Sequence, residues 1–162
     1  MRRLVYTLVL ILMTIGYNRS AAAEPLQLIR LSPGPAREML RAELSGEVYE
    51  PVEISPATAE LVAVGLMPYL QSLADQPNNH RELRNSATAV LRRFPQDYLI
   101  QAAAYRQNGE TKIHLYAVSK KVATHSAPTE FMLVLDGGVS CWRVTFDLNT
   151  QRFSNFEING QA

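Results

Sequence analysis

The spacing of apolar side chains changes once along this chain. Residues 24–96 carry them at helical intervals broken by Pro and Gly, whereas residues 97–159 alternate in runs of strand length. Three helices are predicted. The first, Pro35–Leu44, follows the break at Pro33-Gly34-Pro35 and stops before Gly46; Val48 to Ile54 then runs extended. The second begins with Ser55 as N-cap and Pro56 in the first turn. Its Leu61, Val62, Val64, Leu66, Met67, Leu70 and Leu73 are apolar on more than one side, which predicts burial against a sheet. Pro68 lies inside it, and proline lacks an N–H and collides one turn back, so a kink or break is expected near Val64–Met67. The third runs from about His80 to Arg93, with Leu83, Ala87, Val90, Leu91 and Phe94 on one stripe, and Pro95 ends it. Asn79 and Glu82 have the spacing of a capping box, and Arg81, Arg84, Arg92 and Arg93 read as a solvated face.

The second half permits a register argument. Asn108-Gly109 suits a two-residue hairpin turn, because both residues tolerate positive φ. Ala104 then opposes Ile113, Ala102 opposes Leu115 and Ile100 opposes Ala117, all on one face. Tyr105, His114, Tyr116 and Val118 fall on the other. If Gly137-Gly138 is a second two-residue loop, Leu133 opposes Trp142 and Phe131 opposes Val144, with Met132–Arg143 and Val134–Cys141 on the reverse face. If Asn149–Gln151 is a three-residue loop, Val144 opposes Phe156, Trp142 opposes Ile158, and Arg143 meets Glu157 as a cross-strand ion pair. Five strands follow: Tyr98–Gln107, Glu110–Ser119, Glu130–Asp136, Val139–Leu148 and Arg152–Asn159.

These elements predict an α+β fold, with N-terminal helices packed on one face of a five-stranded antiparallel meander sheet. In element order the plan resembles the helix-plus-curved-sheet arrangement of cystatin-like and NTF2-like proteins, a likeness that carries no residues across. Residues 24–54 form an N-terminal extension with a short helix, and residues 55–162 a single domain.

The N-terminus changes where this domain is expected to work. Arg2 and Arg3 precede an apolar run from Leu4 to Ile15, and Ala21-Ala22-Ala23 supplies the small residues that a signal peptidase reads. Residues 1–23 are expected to be a cleaved secretory signal, leaving Glu24 as N-terminus and an exported, periplasmic or secreted domain without a stable membrane anchor. The apolar run is too short for the roughly 20 residues that span a bilayer. The chain has 16 Lys+Arg and 15 Asp+Glu; without Arg2, Arg3 and Arg19 the basic count falls to 13, a net charge of –2. That balance argues against nucleic acid as a partner, since phosphate binding needs clustered positive charge.

Candidate chemistry is sparse. Cys141 is the single cysteine, so no internal disulfide forms, and a packed thiol is expected. His80, His114 and His125 have no metal-ligand spacing, so neither a metal site nor a cofactor is implied. Cys141 and His114 share a face, as a nucleophile pair would, but no oxyanion cradle follows a cysteine placed within a strand. No catalytic residue is assigned. The second sheet face, carrying Tyr105, His114, Tyr116, Met132, Val134 and Arg143, is too apolar for a solvated surface. Either the N-terminal extension folds over it or it meets a partner, Tyr, Met and Arg being favoured at interfaces. A non-enzymatic binding protein of inhibitor or immunity type, using that face, is the leading expectation. A small-ligand carrier with a pocket between helices and sheet, lined by Thr111, Ser140 and Trp142, is an alternative, as is an enzyme whose carboxylate and histidine meet only in the fold.

Overall fold

The structure is a computed structural model that describes residues 26–44, 49–123 and 127–160. The expected signal segment 1–23 and His125 lie outside the described residues. Three helices and six strands form an α+β fold: β1 (Leu28–Arg30), α1 (Pro33–Glu43), β2 (Pro51–Val52), α2 (Pro56–Asp75), α3 (Arg81–Leu91), β3 (Tyr98–Gln107), β4 (Glu110–Ser119), β5 (Gly138–Asp147) and β6 (Arg152–Asn159).

The β3–β4 hairpin turns at Asn108-Gly109, both at positive φ, and pairs Tyr98 with Ser119 through Gln107 with Glu110 in the register the alternation predicts. The next strand differs. Residues 130–136 form no strand, and β4 pairs directly with β5, setting Ile113 beside Phe146, Leu115 beside Val144 and Ala117 beside Trp142. Direct pairing matches one face of β4 apolar against apolar, through Ile113, Leu115 and Ala117, and sets Val118 beside Cys141 on the other. A short apolar run such as Phe131–Leu135 satisfies strand periodicity without being a strand. Gly137-Gly138 accordingly leads into β5 instead of closing a hairpin, and Gly138 pairs with Asn159.

The sheet is therefore not a five-stranded meander. Strands β3 to β6 form a four-stranded antiparallel meander, and two short strands complete a mixed sheet along the outer edge of β3: β1 parallel beside Ile100–Ala102, β2 antiparallel beside Ala104–Tyr105. The β5–β6 pairing has Trp142 opposite Ile158 and Arg143 opposite Glu157, as predicted, but then slips. Between Arg143 and Thr145 the partner strand carries one extra residue, and Asn155 there adopts φ 54. The bulge lets Phe153 and Phe156, three apart, both face the core, which regular alternation forbids.

Helices cover both faces rather than one. Val62, Leu66 and Leu70 of α2 with Ala87 and Val90 of α3 pack on Ile100, Leu115, Trp142 and Phe146. Trp142 is fully buried and touches the rings of Phe94, Tyr98 and Phe156 at centroid distances of 6.2, 5.7 and 5.9 Å. On the reverse face α1 sets Ala36, Met39 and Leu40 against Ala103, Tyr105, Tyr116 and Val118. Residues 127–136 complete this second layer as an irregular strap. Buried Gln101 donates from Nε2 to the carbonyls of Pro128 and Glu130, and the Tyr116 hydroxyl accepts from the Val134 N–H at 3.1 Å.

The caps of α2 follow from local chemistry. Ser55 Oγ accepts from the Thr58 N–H at 3.1 Å, with Pro56 at the first position. Asn79 does not cap α3; its side chain donates to the Leu73 carbonyl at the end of α2, and His80 holds the N-cap position of α3. Pro68 causes no break in α2. Val64 and Pro68 lie on the exposed side, where water can satisfy the carbonyl that proline leaves unpaired. That same exposure makes α2 one-sided: Leu61, Val64 and Met67 face outward. Arg93, read as solvated, is tied down instead, with Nε 3.2 Å from Asp97, Nη2 3.0 Å from Ser119 Oγ, and the guanidinium over the Tyr98 ring.

Replacing Trp142 with Ala is expected to cost about 3–5 kcal/mol in urea unfolding, the usual penalty for emptying a buried indole site. Leu133→Ser, at a position the alternation pairs with Trp142 but the fold leaves 51% exposed, is expected to change stability by less than about 0.5 kcal/mol.

Candidate ligand cleft

The second layer does not cover the whole reverse face. Where α1 ends and the strap does not reach, a cleft of about 370 Å³ opens, lined by Glu43, Tyr49, Tyr105, Gln107, His114 and Arg143, with Leu44, Thr145, Asn155 and Glu157 completing it. Strand alternation puts Tyr105 of β3, His114 of β4 and Arg143 and Thr145 of β5 on this side; the last residue of α1 contributes Glu43, and the bulge in β6 contributes Asn155.

Buried charge distinguishes the cleft from an ordinary groove. The side chains of Glu43 and His114 are each only 3% exposed, and Glu43 Oε2 lies 3.8 Å from His114 Nε2, an electrostatic contact too long for a hydrogen bond. Arg143 donates from Nη1 to Glu43 Oε2 at 2.9 Å, and from Nε and Nη2 to Glu157 Oε2 at 3.0 and 2.5 Å. One guanidinium thus bridges a buried carboxylate and a half-exposed one. Burial pushes the Glu43 carboxyl up, but His114 and the hydrogen bond and charge of Arg143 outweigh it, so the group sits below the usual glutamate range. Neither nitrogen of His114 has a hydrogen-bond partner among the described residues. A buried polar group left in that state costs about 1–3 kcal/mol. Burial also raises the Tyr105 phenol above its ordinary value, keeping it a protonated donor at neutral pH.

Three of the six candidate face residues, Tyr105, His114 and Arg143, meet here. Tyr116 lies on the face but is buried under α1 and the strap; Met132 and Val134, expected on a strand of that face, belong to the strap instead, buried and half-buried against it. The face as a whole is therefore interior, not an open docking surface. Cys141 does not join His114: its strand partner is Val118 and that of His114 is Thr145, about 13 Å further along the strands. Burial pushes its thiol up to about 11, against weaker help from the Tyr116 hydroxyl, so it packs as an inert side chain. Among the described residues no group of three metal-ligating side chains occurs. At the interface between α2, α3 and the sheet, the place expected for a carrier's pocket, the described residues pack around Trp142.

Sequence reasoning missed Glu43, Tyr49, Gln107, Thr145 and Asn155. Two signals were available. Glu43 ends its helix with negative charge, against the helix dipole, and Thr145 shares the parity of Arg143. The expected Arg143–Glu157 pair is present, but its third member comes from a helix 100 residues away in sequence.

Glu43→Gln is expected to lower stability by about 1–3 kcal/mol at pH 7, by weakening a charge-assisted bond. The folded carboxyl titrates below its unfolded value of about 4.3, so its stabilisation is present above that pH and is lost as pH falls through the folded value. Urea melts across pH are expected to show the gap between native chain and variant closing below about pH 4. No protein-family model, curated protein or solved structure matches this chain.

Proposed function

We propose that this is an exported small-ligand-binding protein whose site is the Glu43–His114–Arg143 cleft. One observation carries the reading: a buried imidazole, neither of whose nitrogens has a hydrogen-bond partner among the described residues, stands beside a buried carboxylate in the wall of a cavity of small-molecule size. A fold that only needed a core would fill that position with an apolar side chain. Polar groups kept buried at such cost are usually used. The leader-like residues 1–23 support export, and the cover that α1 and the strap residue Met132 place over Tyr116 and Val118 favours a cleft over a broad protein-binding face. Catalysis needs more than an oriented imidazole. A nucleophile or leaving group must lie within hydrogen-bond reach of it, and the candidate thiol, Cys141, is remote and protonated.

Two measurements test the proposal. A library of polar fragments titrated into the purified protein, followed by NMR, is expected to give hits that shift Tyr105, His114 and Thr145 together. A Gln107→Trp variant, filling the cleft from its rim, is expected to keep the fold and lose those shifts. Hits confined to other surfaces, or no hit at these residues, would remove the cleft as a binding site. Separately, N-terminal sequencing of protein recovered outside the cytoplasm is expected to start at Glu24; an intact Met1 on the exported protein would defeat the leader assignment.

A further inference from the structure

The geometry points to a small organic cation, a molecule bearing an ammonium or guanidinium group, as the occupant of the cleft; this rests on the cleft being a ligand site. The charge count is the first argument. Glu43 and Glu157 set two carboxylates against the single guanidinium of Arg143, so the carboxylates of the lining outnumber its guanidinium by one. Lys112 shares this face of β4, but it is paired with Glu110 at 3.6 Å and donates to Gln107 Oε1 at 3.2 Å, which leaves the sign unchanged. An anion entering here would lose water and meet two carboxylates; a cation would lose water and gain a counter-charge.

Hydrogen-bond supply and demand agree. Arg143 already donates from all three of its nitrogens to the two glutamates. Glu43 Oε1 accepts nothing from the described residues. Neither nitrogen of the His114 imidazole has a hydrogen-bond partner among the described residues, and a ring nitrogen without a proton is an acceptor. An ammonium group offers three donors in a compact head, enough to serve the open Glu43 oxygen and an imidazole acceptor together. Tyr49 and Tyr105, in edge contact at 4.7 Å and 62°, add aromatic rings to the same wall, and ring faces attract cations. About 370 Å³ lies near the lower end of the range of small-ligand pockets, roughly 300–1,000 Å³, which suits a metabolite-sized molecule.

Three probes on one four-carbon skeleton separate charge from shape: 1,4-diaminobutane, 1,4-butanediol and succinate. Each is titrated into the purified protein at low salt by calorimetry, with NMR to locate binding. The diamine is expected to shift Tyr105, His114 and Thr145, and to bind at least about tenfold more tightly than the diol or succinate. Its affinity is expected to fall about tenfold in Glu157→Gln and to weaken in 0.5 M salt, where the screening length drops to about 4 Å. Glu157 is 54% exposed, so its variant is expected to melt like the native chain, keeping a loss of affinity separate from a loss of fold. If succinate or the diol binds in the cleft as tightly as the diamine, or if Glu157→Gln leaves diamine affinity unchanged, the cationic class is wrong while the cleft stands. If none of the three moves the cleft signals, the cationic class also fails, and the fragment titration decides separately whether the cleft fails with it.

Discussion

Strands β3 and β4 are apolar on both faces, and a sheet of that kind has to be dried twice. Pairing β4 with β5 in the register that sets Ala117 beside Trp142 extends two apolar faces at once: Ile113, Leu115, Trp142 and Val144 on one, Tyr116, Val118 and Cys141 on the other. At about 25 cal/mol per Å² of buried apolar surface, neither face can be left to water without losing several kcal/mol. The order of elements follows from this. Helices α2 and α3 take the first face. The second is divided between α1, which returns from the outer edge of β3, and the strap that crosses before β5.

The cleft is a consequence of that division. α1 is 11 residues long and the strap is anchored through Gln101, Tyr116 and Asn159, all toward one end of the sheet. At the other end the face would stand open. It is closed by charge instead of apolar cover: Glu43 reaches in from the last turn of α1, Arg143 holds it against Glu157, and His114 remains dry beside them. A buried ion network of this kind is a weak source of stability, because desolvation offsets most of the Coulombic gain. Its retention is better explained by use. The bulge at Asn155 sits at the same end, where it turns a polar side chain toward the opening while both phenylalanines of β6 stay in the core.

Much of this was legible in the residues. The β3–β4 hairpin followed from two residues that tolerate positive φ and from alternation that matched on both sides of them, and the Ser55 cap followed from one hydroxyl before one proline. The Trp142–Ile158 and Arg143–Glu157 pairs match the expected register although the turn between β5 and β6 spans 148–151 and not the expected Asn149–Gln151, because the extra residue of the β6 bulge offsets the longer turn. The expected Leu133–Trp142 hairpin failed for a different reason. Phe131–Leu135 alternates well enough to be a strand, and no property of that segment alone says that β4 offers β5 a better edge.

Sequence by itself therefore determined the α+β class, the Asn108-Gly109 turn, the Ser55 cap and which residues of β3 and β4 share a face, because these depend on bonds and parities within a few residues. Tertiary structure alone decided which strands are neighbours, that α1 lies on the face opposite α2 and α3, and that Glu43 meets His114 and Arg143. Those outcomes depend on competition between surfaces far apart in the chain: the carboxylate and the arginine that holds it are separated by 100 positions, and no periodicity spans that distance.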